Sequence, residues 1–303
     1  PRGLTTSYTY DGLSNLVTQV SPDTGATAST YTAAGHLATR TDARGVTACY
    51  TTDALGRVTT TVYSKSGTSS ETHAFTYDAG PNAKGRLTQL TDPAASTTWT
   101  YTSHGRVASK TQTTAGITRT LAYGYHATGQ LATVTTPSGQ QIGYAYLNNR
   151  IVAVTVNGTP LASGIVTAPF GPVGAWHWGN GRYTFRDYDQ DGRLIRWTYR
   201  NGTDLLRSDV TFDAASRITT IADPVSPARS GAYQYDALDR LTQAQHGSPV
   251  AHTWQYGYDA LGNRTAAQAD GAGTTLSYGT SSHQLQQAAG ALNPSYLAGR
   301  TTV

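Results

Sequence analysis

Apolar and polar positions alternate along this chain with a period of two, in short runs that stop at turn residues. Leu121, Tyr123 and Tyr125 fall on one face of such a run, as do Ile142, Tyr144 and Tyr146, and Trp254, Tyr256 and Tyr258. The residues between them are small or polar, which is the alternation of a half-buried strand. Each aromatic pair leads into a turn such as Asp53-Ala-Leu-Gly56 or Asp259-Ala-Leu-Gly262. Asp at the first position and Gly at the fourth suit a type I turn closed by a residue at positive φ. A second alternating run follows, as at Val58, Thr60 and Val62. Strand, turn and return strand make a β-hairpin. A lone hairpin is marginal in water, so each is expected to bury its aromatic face against the next, with stacked aromatic pairs as the main source of cohesion.

The second aromatic of each pair, or its replacement, anchors the pattern. The anchors are Tyr10, Tyr31, Thr52, Tyr77, Tyr101, Tyr125, Tyr146, Tyr188, Phe212, Tyr235, Tyr258 and Tyr278. They recur about every 22 residues, with roughly a double period between Tyr146 and Tyr188. A repeat running end to end predicts an all-β protein of tandem hairpins, without long helices, in one repeat domain over 1–303. The repeats occupy about 5–287, with an irregular block at 150–183 and a frayed or truncated end at 288–303. The absence of any Met and the opening Pro1-Arg-Gly read as a fragment of a larger protein.

Composition agrees with this picture. Of 303 residues, 38% are hydrophobic and only 13% charged, and 20 are Tyr against 4 Phe. The acids are almost all Asp, with Glu71 the single Glu, and Lys occurs only at Lys65, Lys84 and Lys110. Glu and Lys favour helix surfaces while Asp favours turns, so this bias argues against long helices. The net charge of +4 is spread, with Arg at roughly one per repeat, whereas a nucleic-acid binder gathers its bases on one face. A single cysteine, Cys49, rules out an internal disulfide framework and any Cys-based metal site. No run of apolar residues is long enough to span a membrane as a helix, and no signal segment opens the chain.

Candidate chemistry is sparse. Asp187, Asp189 and Asp191 in Asp187-Tyr-Asp-Gln-Asp-Gly192 match the opening of a calcium loop. The twelfth position is Thr198, where a bidentate Glu belongs, and the repeat register already accounts for Tyr188-Asp189 and Gly192-Arg193-Leu194. Trp176, His177 and Trp178 lie in a Pro-interrupted block that ends in an Asn-Gly hairpin signal. They read either as one more hairpin or as an aromatic ligand platform. The eight His do not cluster at ligand spacing, and nucleophile-elbow, zinc-helix and phosphate-loop patterns are missing. No catalytic residue and no cofactor is expected. Asp and Arg of each unit have a structural task instead: Asp accepts from turn amides and Arg reaches a neighbouring carboxylate or carbonyl.

The unit is written in full as Tyr256-Gly-Tyr-Asp-Ala-Leu-Gly-Asn-Arg264 and Tyr233-Gln-Tyr-Asp-Ala-Leu-Asp-Arg-Leu241, and in a long-turn form as Tyr77-Asp-Ala-Gly-Pro-Asn-Ala-Lys-Gly-Arg-Leu87. Tyr-Asp followed by Gly-Arg-Leu at this spacing resembles the YD repeats of RHS proteins, over roughly Thr5 to Gln287. Pro169-Phe-Gly-Pro through Trp178-Gly-Asn-Gly181 resembles another recurring block of that family. The resemblance implies a long antiparallel sheet that spirals into a hollow shell. In bacterial polymorphic toxins and insecticidal toxin complexes such a shell encloses a C-terminal toxic polypeptide, and related repeats form the barrel of teneurins. Toxin members close the shell with a self-cleaving aspartyl protease region bearing Asp-Pro-x-Gly motifs. Here Asp92-Pro93 and Asp223-Pro224 stand mid-chain without that Gly, so the match is to the wall alone. The implied partners are the remaining shell and an enclosed C-terminal polypeptide, in a secreted or cell-surface protein. Open strand edges imply self-association. A glycan-binding adhesion module and a carbohydrate-active enzyme on a β-solenoid are the alternative readings.

Overall fold

The computed structural model describes residues 4–68, 70–168, 171–247, 251–280 and 282–290. Among these the regular structure is strand throughout, apart from a 3-10 turn at Pro227–Arg229. No helix among them is long and apolar enough to cross a membrane. The chain divides into two compact units. The first takes Leu4–Tyr144 with Thr155–Gly158, and the second takes Ala145–Val154 and the chain from Thr159 onward.

In the first unit each strand pairs antiparallel with its neighbours in sequence, from Ser7–Tyr10 and Leu16–Ser21 through Leu131–Thr135 and Gln141–Leu147. The second unit repeats this order from Thr159–Thr167 and Val173–Trp178 to Ala272–Tyr278 and Leu285–Gly290. The final strand carries the pairing into the stretch expected to be frayed or truncated; residues 291–303 lie outside the described residues. Within the irregular block, Arg150–Val156, Thr159–Thr167 and Val173–Trp178 are strands. Pro169 and Phe170 lie outside the described residues.

The hairpin turn has the predicted chemistry. Gly56 sits at φ 76° and donates to the Asp53 carbonyl, while the Asp53 amide donates to the Arg57 carbonyl. A type I turn followed by one left-handed residue adds a residue to the loop, so the ladder shifts by one immediately afterwards. That bulge falls at the anchor: Tyr31 faces Leu37, Tyr125 faces Leu131 and Tyr235 faces Leu241, each beside a register shift. Ser14, Ser216 and Asp239 take the left-handed position where Gly is missing.

Among the described residues the core is thin, and its buried apolar residues are Ala48, Ala83, Ala162, Ala244, Ala267 and Leu276. Several lie directly across the ladder from a large ring, Ala48 from Tyr63, Ala244 from Trp254 and Ala267 from Tyr256. Small residues are covered by rings that themselves stay half-exposed, so burial is shared along a single layer. The other face carries cross-strand hydroxyl pairs, among them Thr30–Thr39, Thr111–Thr120 and Thr211–Thr220.

Candidate functional site

The side chains that recur with the period converge on the seam between one hairpin and the next. Its first component is the turn Asp. Asp53 Oδ1 accepts from the amides of Leu55 and Arg57, and its Oδ2 accepts from Arg57 Nε. Asp189, Asp213 and Asp236 do the same with Arg193, Arg217 and Arg240. The amide of Arg217, and after it the guanidinium, holds the Asp213 carboxyl below the usual carboxylate range.

Its second component is that Arg, which reaches forward. Arg217 Nη1 donates to the Asp236 carbonyl and Arg240 Nη1 to the Asp259 carbonyl, each in the next turn. Arg57 bridges to Asp78. The guanidinium plane covers the next anchor ring: Arg57 lies over Tyr77 at 4.4 Å, Arg240 over Tyr258 at 4.8 Å and Arg193 over Phe212 at 4.9 Å from the centroid. Arg86 over Tyr101, Arg106 over Tyr125 and Arg217 over Tyr235 repeat the contact. At Gly105 and Gly129 the guanidinium of Arg86 or Arg106 occupies the space that a Cβ would take.

Its third component is the anchor hydroxyl. Tyr31, Tyr101, Tyr125, Tyr188, Tyr235, Tyr258 and Tyr278 donate to the carbonyls of Leu16, Leu87, Val107, Val173, Ile218, Leu241 and Arg264 over 2.5–3.1 Å. The acceptor belongs to the preceding hairpin, at or beside the residue opposite the bulge. Backbone pairing across the seam stops two residues short of it, at Gln89 with Thr98 and at Gln243 with Gln255, for example. The hydroxyl therefore takes the carbonyl that the ladder leaves open. This accounts for Tyr over Phe, which composition signalled without explaining. It also corrects the expected glue: the anchor hydroxyls tie one hairpin to the next, and at Tyr101, Tyr125, Tyr235 and Tyr258 the bulge also brings the preceding Arg onto the ring. Ring-to-ring contact falls to the first aromatic of the pair, as where His246 lies edge-on between Tyr233 and Trp254.

The Trp176 block is split by strand alternation. Trp176 and Trp178 share a face, edge to face at 5.6 Å, and Trp178 Nε1 donates to Thr184 Oγ1. His177 points to the opposite face and meets Tyr183 at 4.5 Å. The three residues are thus not brought together into one platform. Trp176 instead borders an open concavity of about 660 Å³, whose walls include Tyr146, Ile151, Val154, Ile165 and Arg186. Arg186 covers the Trp176 ring at 5.0 Å, with its Nε buried and unpartnered among the described residues.

The acids weighed as a calcium loop are engaged with arginines. Asp189 and Asp191 pair with Arg193, and Asp187 lies 3.8 Å from Arg196. No group of three His, Cys, Asp or Glu able to hold a metal occurs among the described residues. Asp92 and Asp223 each cap two amides of their own connection.

Comparison with known proteins places these repeats. The teneurin YD-shell family model matches residues 186–291. The RHS repeat family model matches residues 82–124 and 125–160. No curated protein sequence matches the chain. Among solved structures, it is similar to a TcdB2-TccC3-Cdc42 complex, with TM-score 0.84 and 18% identity over 92% of this chain and 17% of that one. A Photorhabdus luminescens Tc holotoxin pore gives TM-score 0.82 and 18% identity over 93% and 17%. A TcdB2-TccC3 complex without its hypervariable C-terminal region gives 0.84 and 17% over 93% and 17%. At this identity the likeness is one of fold, and the chain spans 17% of the length of those chains.

Proposed function

Taking this chain as an RHS/YD-repeat protein, we propose that it is a wall segment of a shell that encloses or displays another polypeptide of its parent protein. The observation that carries this reading is the seam: contacts drawn from one set of Asp, Arg and Tyr recur between successive hairpins, and the seams that have a tyrosine hydroxyl bond share one register. Such a seam extends a sheet by one hairpin at a time and assembles no catalytic group. The function is containment, in which a continuous hydrogen-bonded layer separates an enclosed chain from solvent. The fold likeness to toxin-complex structures and the YD-shell match support the same role. The parent is placed outside the cell or on its surface, as one repeat domain continuing into further shell and an enclosed C-terminal polypeptide.

Limited proteolysis of the full parent protein tests this. The enclosed stretch is expected to resist a protease that digests it readily once excised. Weakening several seams together, as in Tyr235→Ala with Tyr258→Ala, is expected to expose it. Equal digestion of the stretch inside and outside the parent would refute containment.

A further inference from the structure

We propose that the concavity beside Trp176 is the seat of an anchor ring that this repeat lacks, and that it takes a tyrosine side chain presented by another polypeptide segment. The chemistry of the seat stands on this chain's own residues. Assigning that segment to the parent's enclosed chain rests on the wall reading.

The hairpin of Thr159–Thr167 and Val173–Trp178 has the repeat's turn without the repeat's side chains. The Ala168 amide donates to the Pro172 carbonyl, and the Gly171 amide to the Ala168 carbonyl. The Asp236 and Asp239 amides make the same two bonds, to Arg240 and to Asp236. Thr167 faces Val173 beside a register shift, as Tyr235 faces Leu241. Register therefore puts Thr167 at the anchor, Ala168 at the turn Asp and Pro172 at the Arg. The preceding Arg, however, is present. Arg150 Nη1 donates to the Ala168 carbonyl at 2.6 Å, which is the bond that Arg217 and Arg240 make to the carbonyls of Asp236 and Asp259. Those two guanidinium groups cover Tyr235 and Tyr258, whereas Thr167 offers Arg150 no ring. Thr52 is also an anchor without a ring, but there the preceding unit has His36 in place of Arg, and that imidazole lies where a Cβ on Gly56 would go.

The space for a ring is present. Arg150, Ile151, Thr167, Val173, Trp176 and Arg186 all border the concavity of about 660 Å³, within the ~300–1,000 Å³ range of small-ligand sites. A second bulge shapes it. Between Ser163 and Val166 the ladder sets Gly164 and Ile165 against Trp176 alone, with Gly164 at φ 57°. Such a bulge bends its strand and re-aims the side chains, and Ile165 borders the hollow. Ile151 is 37% exposed, while its counterparts beside filled seats, Ile218 and Leu241, are half-buried. The occupant follows from continuity with those seams. They hold a ring against the guanidinium and a hydroxyl on the carbonyl of the residue after the Arg, as Tyr235 does with Ile218 and Tyr258 with Leu241. Here the two roles fall to Arg150 and the Ile151 carbonyl. Arg186 adds a second cation, and the residues lining the hollow include no acid. This setting favours an electron-rich phenol over a cationic or aliphatic side chain.

Titration of the whole chain with N-acetyltyrosinamide, followed through the indole N–H signals of its five tryptophans in NMR, tests the seat. The Trp176 signal is expected to move saturably while those of Trp99 and Trp254 stay in place. N-acetylphenylalaninamide is expected to bind about fivefold more weakly, by loss of one hydrogen bond. Thr167→Tyr, which supplies the ring from within the chain, is expected to abolish the shift and to raise Tm by about 2–4 °C. No saturable shift at Trp176, a shift shared with Trp99 and Trp254, equal affinity for the two amides, or undiminished binding by folded Thr167→Tyr would overturn the assignment. Binding seen only in Phe170→Ala would overturn it too, because the chain would then fill the seat itself. The amide comparison uses the unaltered chain, so it decides even where Thr167→Tyr does not fold. It involves no enclosed chain either, so its failure is separable from failure of the proteolysis test.

Discussion

At the residue scale, the anchor tyrosine concentrates the most information. Its ring is half-buried, so its truncation costs less than that of a core aromatic. Its hydroxyl, though, closes a carbonyl that no strand can reach. Tyr125→Phe is expected to destabilise by about 1–2 kcal/mol, since a partner is left unpaired, and Tyr125→Ala by roughly 2–4 kcal/mol. Chemical denaturation of both variants checks this; equal losses would mean the hydroxyl does nothing. Gly105→Ala combines positive φ with intrusion on Arg86 and is expected to cost about 1–3 kcal/mol. The turn acids give a pH dependence. Arg217 and Arg240, by amide and guanidinium, hold the Asp213 and Asp236 carboxyls below their ordinary value. A carboxyl depressed in the folded state stabilises it above the unfolded pKa, and that contribution disappears as pH falls through the folded value. Melting temperature is therefore expected to be level at neutral pH and to drop below about pH 4, and Asp213→Asn with Asp236→Asn is expected to flatten the drop.

At the element scale, the hairpin was legible and the seam was not. Alternation at Leu121, Tyr123 and Tyr125 implies a strand whatever surrounds it, and Asp53-Ala-Leu-Gly56 implies its turn, because both depend on neighbours in sequence. The Asp carboxylate on the turn amides and the Arg fork were readable for the same reason. The seam depends on a one-residue bulge, and a bulge changes which residue stands opposite which. Alternation alone could not show that Arg240 would cover Tyr258 or that Tyr258 would reach the Leu241 carbonyl. The Trp176 block was open to two readings, one more hairpin or an aromatic platform; it forms a paired strand whose alternation sends His177 away from Trp176 and Trp178. Asp187, Asp189 and Asp191 are likewise close in sequence, yet Asp187 faces Arg196 while Asp189 and Asp191 pair with Arg193. Sequence proximity overstates spatial convergence on a strand, where adjacent residues face apart.

At the scale of the whole molecule, strand contacts run between sequence neighbours, so stability is approximately a sum of hairpin terms and seam terms. Such a chain has no single core whose loss unfolds everything at once, and its cooperativity depends on how strongly adjacent hairpins are coupled. The seam supplies that coupling, with a hydrogen bond of about 1 kcal/mol where a tyrosine hydroxyl reaches the preceding hairpin, a cation–π contact of about 0.5–1 kcal/mol where an Arg covers the ring, and both at Tyr101, Tyr125, Tyr235 and Tyr258. Among the described strands, the fully exposed ones have the least of it. Ser7–Tyr10 and Leu285–Gly290 are exposed along their whole lengths, while hairpins such as Gly231–Tyr235 with Leu241–His246 have a seam on both sides. Hydrogen exchange is therefore expected to be faster in the fully exposed strands Ser7–Tyr10 and Leu285–Gly290 than in the doubly seamed hairpins. Tyr258→Ala, inside the array, is expected to create a new zone of fast exchange confined to the hairpins it joins, Gly231–Tyr235 with Leu241–His246 and His252–Tyr258 with Arg264–Ala269. Acceleration spread evenly over all strands by that one substitution would mean a single cooperative core, and the sum of local seams would then be the wrong description.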